Sequence, residues 1–187
     1  MALDKNSLER NILDGLKAGL DGASTREAAQ YLAYAIVSYA SDAEILCLPG
    51  PILIPGAPPV PSSALGRTVK TSTSELGKSV LWDTVDLNFI NQDASMSTTA
   101  AGIVAYVASS FTVFSGGGIT VTGASVMPPP LANILSTVPA LGLSGASIED
   151  IAAQMATIID AAFRGTIFTG ACVAPDGGIG PVSGPLF

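Results

Sequence analysis

Carboxylates are the chemically reactive side chains that this sequence places closest together. Asp83, Asp86 and Asp93 could form a cation cluster, and Glu149 with Asp150 could form a carboxylate pair. Neither set has the spacing of a calcium-binding loop. The pair lies where a helix is predicted to begin, and acidic side chains there favour the positive end of the helix dipole. We therefore interpret both sets as structural and expect no metal site.

Histidine is absent from the 187 residues, which removes the commonest general base and the commonest metal ligand together. Ser-His-Asp and Cys-His catalysis are excluded, as is a zinc site that contains histidine. The glycine triplet at 116–118 is not followed by Lys-Ser/Thr and leads into a predicted strand. A hairpin or the start of a strand is therefore favoured over a phosphate-binding loop. The sequence predicts no catalytic residue, no cofactor and a protein that is not an enzyme.

The cysteines, Cys47 and Cys172, are far apart in the chain and do not have the spacing of metal ligands. The favoured interpretation is two small buried residues, because unpaired cysteine is among the most buried residue types. A disulfide between them stays open as the less favoured alternative. No signal peptide is expected, since charges run through the N-terminal segment and no apolar core of a leader is present there.

Charge is scarce in this chain and mostly negative. Asp, Glu, Lys and Arg make up only 12%, against about 25% in an average globular domain, and the net charge is −7. The 8 basic residues are scattered, so no nucleic-acid partner is expected. Apolar residues make up 48%. So few charges would not cover the surface of a monomer, and the composition therefore predicts a homo-oligomer.

Periodicity and capping patterns predict two helices in the first quarter of the chain. Apolar residues at helical spacing indicate an amphipathic helix over residues 3–20, which Gly22 would end. Ser24 and Glu27 form a capping-box pattern, so a second helix is predicted over about residues 25–41. These helices are expected to supply the first part of the core.

The middle of the chain changes composition several times. Prolines interrupt the apolar run at 45–56, which indicates short edge strands or extended segments, and a proline-rich connection follows over 57–63. A helix is predicted at about 75–92. Residues 94–148 contain no charged side chain. We interpret this uncharged stretch as a buried helix and strand at a subunit interface, because its most apolar part, 100–114, is too short to span a membrane.

A helix-then-strand unit is predicted three times. Each predicted helix begins with paired alanines and ends on an aromatic residue, at 28–39, 100–111 and 152–163. Each is followed by a glycine and a proline five residues apart, at 50–55, 123–128 and 170–175. The last two segments read TGASVMP and TGACVAP. Glycine is expected at the start of each strand and proline at the end of strand pairing. One such unit cannot bury its apolar face alone, whereas three can.

The predicted fold class is α+β with five segments. These are an N-terminal amphipathic helix at 1–22, repeat 1 with its proline-rich extended segment at 23–61, a helical insert at 62–94, repeat 2 at 95–130, and a connector with repeat 3 and a Gly/Pro-rich tail at 131–187. The third helix has its own capping pattern in Ser147 and Asp150.

The chain opens with MALDKNSL, continues with Ala-rich helices followed by T-G-x-x-V-x-P segments, and ends with DGGIGPVSGPLF. In these features it resembles small virion structural proteins of tailed bacteriophages, particularly contractile-tailed ones. The resemblance covers the overall style of the chain from end to end. It implies a non-enzymatic, acidic, homo-oligomeric subunit of the tail, baseplate, neck or capsid surface, assembled in the bacterial cytoplasm with other virion proteins. It transfers no site residue. The alternative function is a module that binds an apolar ligand or a membrane surface through residues 94–148.

Overall fold

The computed structural model of the chain describes residues 3–22, 24–72, 113–116, 118–127 and 147–185. Its helices are α1 (Lys5–Leu20), α2 (Thr25–Ser41) and α3 (Ile148–Arg164). Its strands are β1 (Glu44–Cys47), β2 (Pro51–Ile52), β3 (Val60–Pro61), β4 (Arg67–Ser72), β5 (Val113–Gly116), β6 (Ile119–Met127), β7 (Ile167–Val173) and β8 (Ile179–Pro185). The predicted α+β class is confirmed.

The capping predictions are confirmed at both helices that carry the pattern. Ser24 Oγ accepts from the backbone N–H of Glu27, whose carboxylate accepts from the backbone N–H of Ser24 at 2.7 Å. Ser147 and Asp150 form the same reciprocal pair at the start of α3. These bonds satisfy amide groups that the first helical turn leaves without an intrahelical partner. The predicted bounds of α2 are therefore reproduced, and the chain turns after α1 at Gly22.

The main sheet is antiparallel and strongly curved. Its strands follow the order β1-β4-β5-β6-β7-β8, and β8 returns to β1 to close the order as a barrel. The closing seam is narrow, with Cys47 opposite Val182 as its single paired position, so most of the sheet is an antiparallel half-barrel. Strands β6 and β7 pair along most of their length, with an irregularity between Thr122 and Ser125. Strands β2 and β3 form a separate two-stranded sheet.

A disulfide between Cys47 and Cys172 crosses the inside of this curve. The favoured prediction of two unpaired cysteines was therefore wrong. Strands β1 and β7 are both neighbours of β8, and in a flat sheet they would lie about 10 Å apart. The two cysteine Cα atoms are only 5.9 Å apart, because the sheet curls over β8. Sequence spacing gave no sign of this proximity, since 125 residues separate the two positions.

The core lies between the helices and the curved sheet. Helix α1 packs against both α2 and α3. The largest fully buried side chains come from the helices, β1, the start of β6 and β7: Leu8, Ile12, Ile36, Ile45, Ile119, Phe163 and Phe168. At the ends of α2 and α3, the rings of Tyr39 and Phe163 meet edge to face, with their centroids 5.4 Å apart. Such aromatic pairs add about 1 kcal/mol beyond their buried area.

The structure does not show the predicted threefold repeat. The segments at 50–55, 123–128 and 170–175 differ in role, because the first enters the separate β2–β3 sheet, whereas residues 123–127 lie in β6 and residues 170–173 lie in β7 of the main sheet. Glycine was predicted at the start of each strand, but Gly123 and Gly170 lie inside β6 and β7. What does recur is a helix followed directly by a strand of the main sheet, as α2–β1 and α3–β7.

Several predictions fall partly or wholly outside the described residues. The helix at 75–92 and the second repeat helix at 100–111 lie outside them. The described part of the segment predicted as a helical insert, residues 62–72, contains β4. Of the uncharged stretch 94–148, the described parts are chiefly β5 and β6, which form a hairpin at the glycine triplet with Gly116 opposite Ile119. A hairpin was the favoured interpretation of that triplet.

Candidate functional site

The carboxylates that suggested metal chemistry do not form a site in the part of the chain that the structure describes. Glu149 and Asp150 lie in the first turn of α3, as expected, and Asp150 is engaged by the Ser147 cap. Asp83, Asp86 and Asp93 lie outside the described residues. Within those residues, no group of three or more Cys, Asp or Glu side chains is placed to hold a metal ion.

A polar cluster joins the ends of the three helices. The Tyr39 hydroxyl donates to the carboxylate of Asp160, which also accepts from Arg164 Nε at 2.8 Å. Arg164 Nη2 donates to the backbone carbonyl of Leu3 at 2.8 Å. Burial, followed by the bond to Asp160, raises the pKa of Tyr39 far above its ordinary value, so the hydroxyl stays protonated. A tyrosine held in this state is neither a base nor a nucleophile, and the cluster therefore serves to link the helix ends. We call these linked groups, Tyr39, Asp160, Arg164 and the Leu3 carbonyl, the Tyr39 clasp.

Besides the two helix caps, Ser62 and Asp176 form a serine–carboxylate contact, a pairing that could suggest nucleophilic chemistry. The Ser62 hydroxyl donates to Asp176 at 2.8 Å, and its oxygen accepts from the backbone N–H of Ala64. The backbone N–H of Gly178 and the Ser62 hydroxyl lower the pKa of Asp176. A carboxylate with a lowered pKa is a weak base, so Ser62 is not activated. This contact joins two loops.

The loop that Ser62 ends is an exposed hairpin, residues 51–61, which we call the arm. Strands β2 and β3 pair as Pro51 with Pro61 and Ile52 with Val60. At the tip, the Ala57 backbone N–H donates to the Ile54 carbonyl at 3.1 Å. Pro55 and Gly56 are the central residues of this turn, and Gly56 has a φ of 81°. Proline followed by a glycine with positive φ is the preferred sequence of a type II turn.

The base of the arm is held firmly against β8. Ile52 forms a bridge to Gly178, and the Ser62 backbone N–H donates to the Gly50 carbonyl at 3.0 Å. A Cβ atom added at Gly50 would lie 2.0 Å from the carbonyl oxygen of Ile179, so only glycine permits this close crossing. With the Ser62–Asp176 contact, these bonds fix the direction in which the arm leaves the barrel.

The outer part of the arm is apolar and exposed. Leu53 is 68% exposed, and Ile54 and Val60 are about half exposed. No charged residue occurs between Glu44 and Arg67. Scattered exposed apolar residues are ordinary, but a contiguous apolar patch on a soluble protein marks an interaction site. The arm adds nothing to the core beyond its base, so its apolar side chains are available to bind a partner.

A second exposed feature is a groove between α1 and α2 with a volume of about 500 Å³. The groove is lined by Tyr31 and Tyr34 of α2 and, on the α1 side, by Asn11, Asp14 and Gly15. The two helices can approach closely because Gly15 has no side chain. A Cβ atom added at Gly15 would lie only 2.8 Å from Tyr31 Cβ. Tyr34 is 77% exposed, which is unusual for an aromatic side chain of a packed helix.

Of the predicted uncharged interface at 94–148, the described strands β5 and β6 contribute neither to the arm nor to the groove. No helix among the described residues has the length and apolar character that a membrane span requires. The arm and the groove are therefore the candidate functional surfaces of the described structure. The sequence analysis predicted the proline-rich arm as short edge strands or extended chain, without a binding role, and it assigned no role to Tyr31 or Tyr34.

Comparisons with protein-family models, with curated proteins and with solved structures found no match to this chain.

Proposed function

We propose that this chain is a non-enzymatic structural subunit of a bacteriophage virion, a component of the tail, baseplate, neck or capsid surface that acts by homo-oligomeric assembly. The observation that carries the assembly role is the arm, an uncharged apolar hairpin that is anchored at its base and exposed beyond it. The low charge content of the whole chain supports the same role, because surfaces between subunits need few charges.

The polar clusters support a structural role as well. The Tyr39 clasp joins the ends of all three helices, and the Ser62–Asp176 contact joins the arm to the β7–β8 turn. Both clusters consist of groups that satisfy one another, and the pKa shifts of Tyr39 and Asp176 hold each group in its non-reactive form. Such links hold the elements of a subunit in one arrangement, which a subunit in contact with several neighbours requires.

The disulfide favours a protein whose mature form exists outside a reducing cytoplasm. Disulfides persist in oxidising surroundings, whereas cytoplasmic thiols are kept reduced. A virion is assembled in the cytoplasm and released from it, so Cys47 and Cys172 would lose two protons and two electrons to dissolved oxygen after release. Maleimide labelling in denaturant without reductant should therefore find free thiols in chains from host cells lysed before release, and none in chains from released particles left in air. Equal labelling in both would contradict the proposed virion setting.

Sedimentation velocity of the full chain tests the assembly role. Over a concentration range from about 1 µM to 1 mM, which brackets typical weak contacts, we expect the weight-average mass to rise above the monomer mass. A single monomeric species at every concentration would overturn the proposal of homo-oligomeric assembly. Gold-labelled antibodies against the chain test the virion assignment separately, since they should decorate one fixed position on the parent particle in electron micrographs.

A further inference from the structure

We propose that the arm of one copy docks in the groove between α1 and α2 of a second copy, so that the copies join head to tail. This inference rests on the proposed assembly function and names the two surfaces that carry it. The occupant of the groove is then a second copy of this chain, contacted through residues 57–61 and Leu53 of its arm.

The backbone of the arm is preorganised for aromatic grooves. Proline fixes φ near −65° at Pro58, Pro59 and Pro61, and a following proline restricts Ala57 and Val60 to the extended and polyproline II regions. Pro58 and Pro59 are exposed and precede β3, outside the β2–β3 pairing, so their rings are free to contact aromatic side chains. Little conformational entropy remains to be lost when such a segment binds.

The groove has the chemistry that recognises such a segment. Proline-rich segments bind in grooves lined by aromatic side chains, where proline rings pack between the rings. Tyr31 and Tyr34 are three residues apart on α2 and therefore project to the same side. The two hydroxyls and the Asn11 amide can donate to the backbone carbonyls of residues 57–59, which lie outside the β2–β3 pairing. A volume of about 500 Å³ lies within the range of ordinary ligand sites.

Charge favours a copy of the arm over an acidic surface of the same protein. The chain has a net charge of −7, and the groove itself carries the carboxylate of Asp14. Most surfaces of a second copy would therefore be repelled. The arm carries no charge from residue 45 to 66, so it approaches without repulsion.

The base of the arm and the groove are formed by different elements of the fold. Ile52, Gly50 and Ser62 hold that base on β8 and the β7–β8 turn, whereas the groove lies on α1 and α2. Each copy would thus give one arm and receive another. Contacts of this head-to-tail kind form a ring when the rotation closes and a filament when it does not.

Complementation between two variants tests the inference. The arm variant carries Leu53→Ser and Val60→Ser, and the groove variant carries Tyr31→Ala and Tyr34→Ala. We expect each variant alone to associate at least about 10-fold more weakly than the wild type in sedimentation velocity. An equimolar mixture should form a 1:1 dimer that grows no further, because only one intact arm and one intact groove can meet. Ile167→Ser, an exposed apolar change on β7 outside both surfaces and outside the uncharged stretch, should leave association unchanged.

The outcomes separate this inference from the proposed function. If the wild type associates and either variant associates equally well, the arm-to-groove contact is wrong and assembly through another surface stands. If both variants are monomeric but their mixture forms no dimer, the two surfaces do not meet each other, and the inference is again overturned. If the wild type is monomeric throughout, the assembly function fails and the inference fails with it. Circular dichroism of each variant verifies that the fold is retained.

Discussion

The α2–β1 and α3–β7 regions are built alike, but the chain continues differently after each of them. Each begins with a serine capping box, ends its helix at an aromatic ring that meets the ring of the other, and places a cysteine on the next strand that bonds to the other cysteine. After β7, a tight turn at Pro175, Asp176 and Gly177 leads directly into β8. After β1, the chain instead extends the exposed arm before it returns as β4.

The difference separates the features that stabilise the fold from the arm, to which we assign the proposed assembly role. The capping boxes, the aromatic contact and the disulfide are common to both regions and account for their mutual packing. The arm occurs after one region only, and it is exposed beyond its base. Changes to the common features should therefore lower the free energy of unfolding, whereas changes to the arm should leave it unchanged.

The largest effect is expected from the disulfide, which is the covalent link between the two regions. Cross-linking positions 125 residues apart restricts the unfolded chain strongly, and the loop-entropy relation gives about 5 kcal/mol. Reductant should therefore lower the free energy of unfolding in urea by about that amount. The paired variant Cys47→Ala/Cys172→Ala is the control, since its stability should not respond to reductant. Equal midpoints for the wild type with and without reductant would show that the link does not form in solution.

Substitutions at the two residues of the aromatic contact should lower the free energy of unfolding by different amounts. Phe163 is fully buried, and Phe163→Ala should lower the free energy of unfolding by about 3–5 kcal/mol through lost contacts and a cavity. Tyr39→Phe keeps the ring and removes only the hydroxyl that donates to Asp160, which should lower it by about 1 kcal/mol. Urea unfolding monitored by circular dichroism compares the two variants. A larger loss for Tyr39→Phe would mean that the clasp, and not the ring contact, dominates.

Local signals in the sequence predicted the helices better than the sheet. The capping pairs Ser24–Glu27 and Ser147–Asp150 fix helix starts through bonds that span three residues, so the sequence contains all the information needed. The partner of Cys47 and the curvature of the sheet depend on contacts between distant residues, which spacing does not reveal. The Gly-x-x-x-x-Pro segments look alike because of shared turn chemistry, yet 50–55 lies in a different sheet from the other two.

The arm and the groove could not be predicted as binding surfaces from the sequence, because both also depend on contacts between distant residues. Tyr31 and Tyr34 belong to an Ala-rich apolar helix, and their types do not distinguish a buried tyrosine from an exposed one. Only the position of α1 makes the groove, since Gly15 sets how closely the two helices approach. The arm was predicted as extended chain, but its exposure depends on where β8 holds its base.

The two capping boxes should contribute equally and depend on pH in the same way. Ser24→Ala and Ser147→Ala should each lower the free energy of unfolding by about 1 kcal/mol. Backbone and hydroxyl hydrogen bonds from Ser24 lower the pKa of Glu27, and hydroxyl and backbone bonds from Ser147 lower the pKa of Asp150. A folded-state pKa below the unfolded value means that the stabilisation is present above the unfolded pKa and is lost as pH falls.

The pH dependence is measured by urea unfolding at intervals from about pH 6 to about pH 3, a range that crosses the ordinary carboxyl pKa values. The double variant Glu27→Gln/Asp150→Asn should show a shallower loss of stability over this range than the wild type. An identical slope would place the acid sensitivity of the fold in carboxylates other than the two caps. Unequal effects of the two serine changes would break the correspondence between the regions.

The smallest effect on the free energy of unfolding is expected at Leu53, in the exposed part of the arm. Leu53→Ser should change the free energy of unfolding by no more than about 0.5 kcal/mol, because the side chain is largely exposed. Ile45→Ser, eight residues earlier on β1, should lower it by more than about 3 kcal/mol, since it removes a buried side chain and buries a hydroxyl. Both are measured in dilute protein, where assembly adds nothing to stability. A loss at Leu53 as large as that at Ile45 would mean that the arm packs within its own subunit, and the arm would then no longer be free to reach a neighbour.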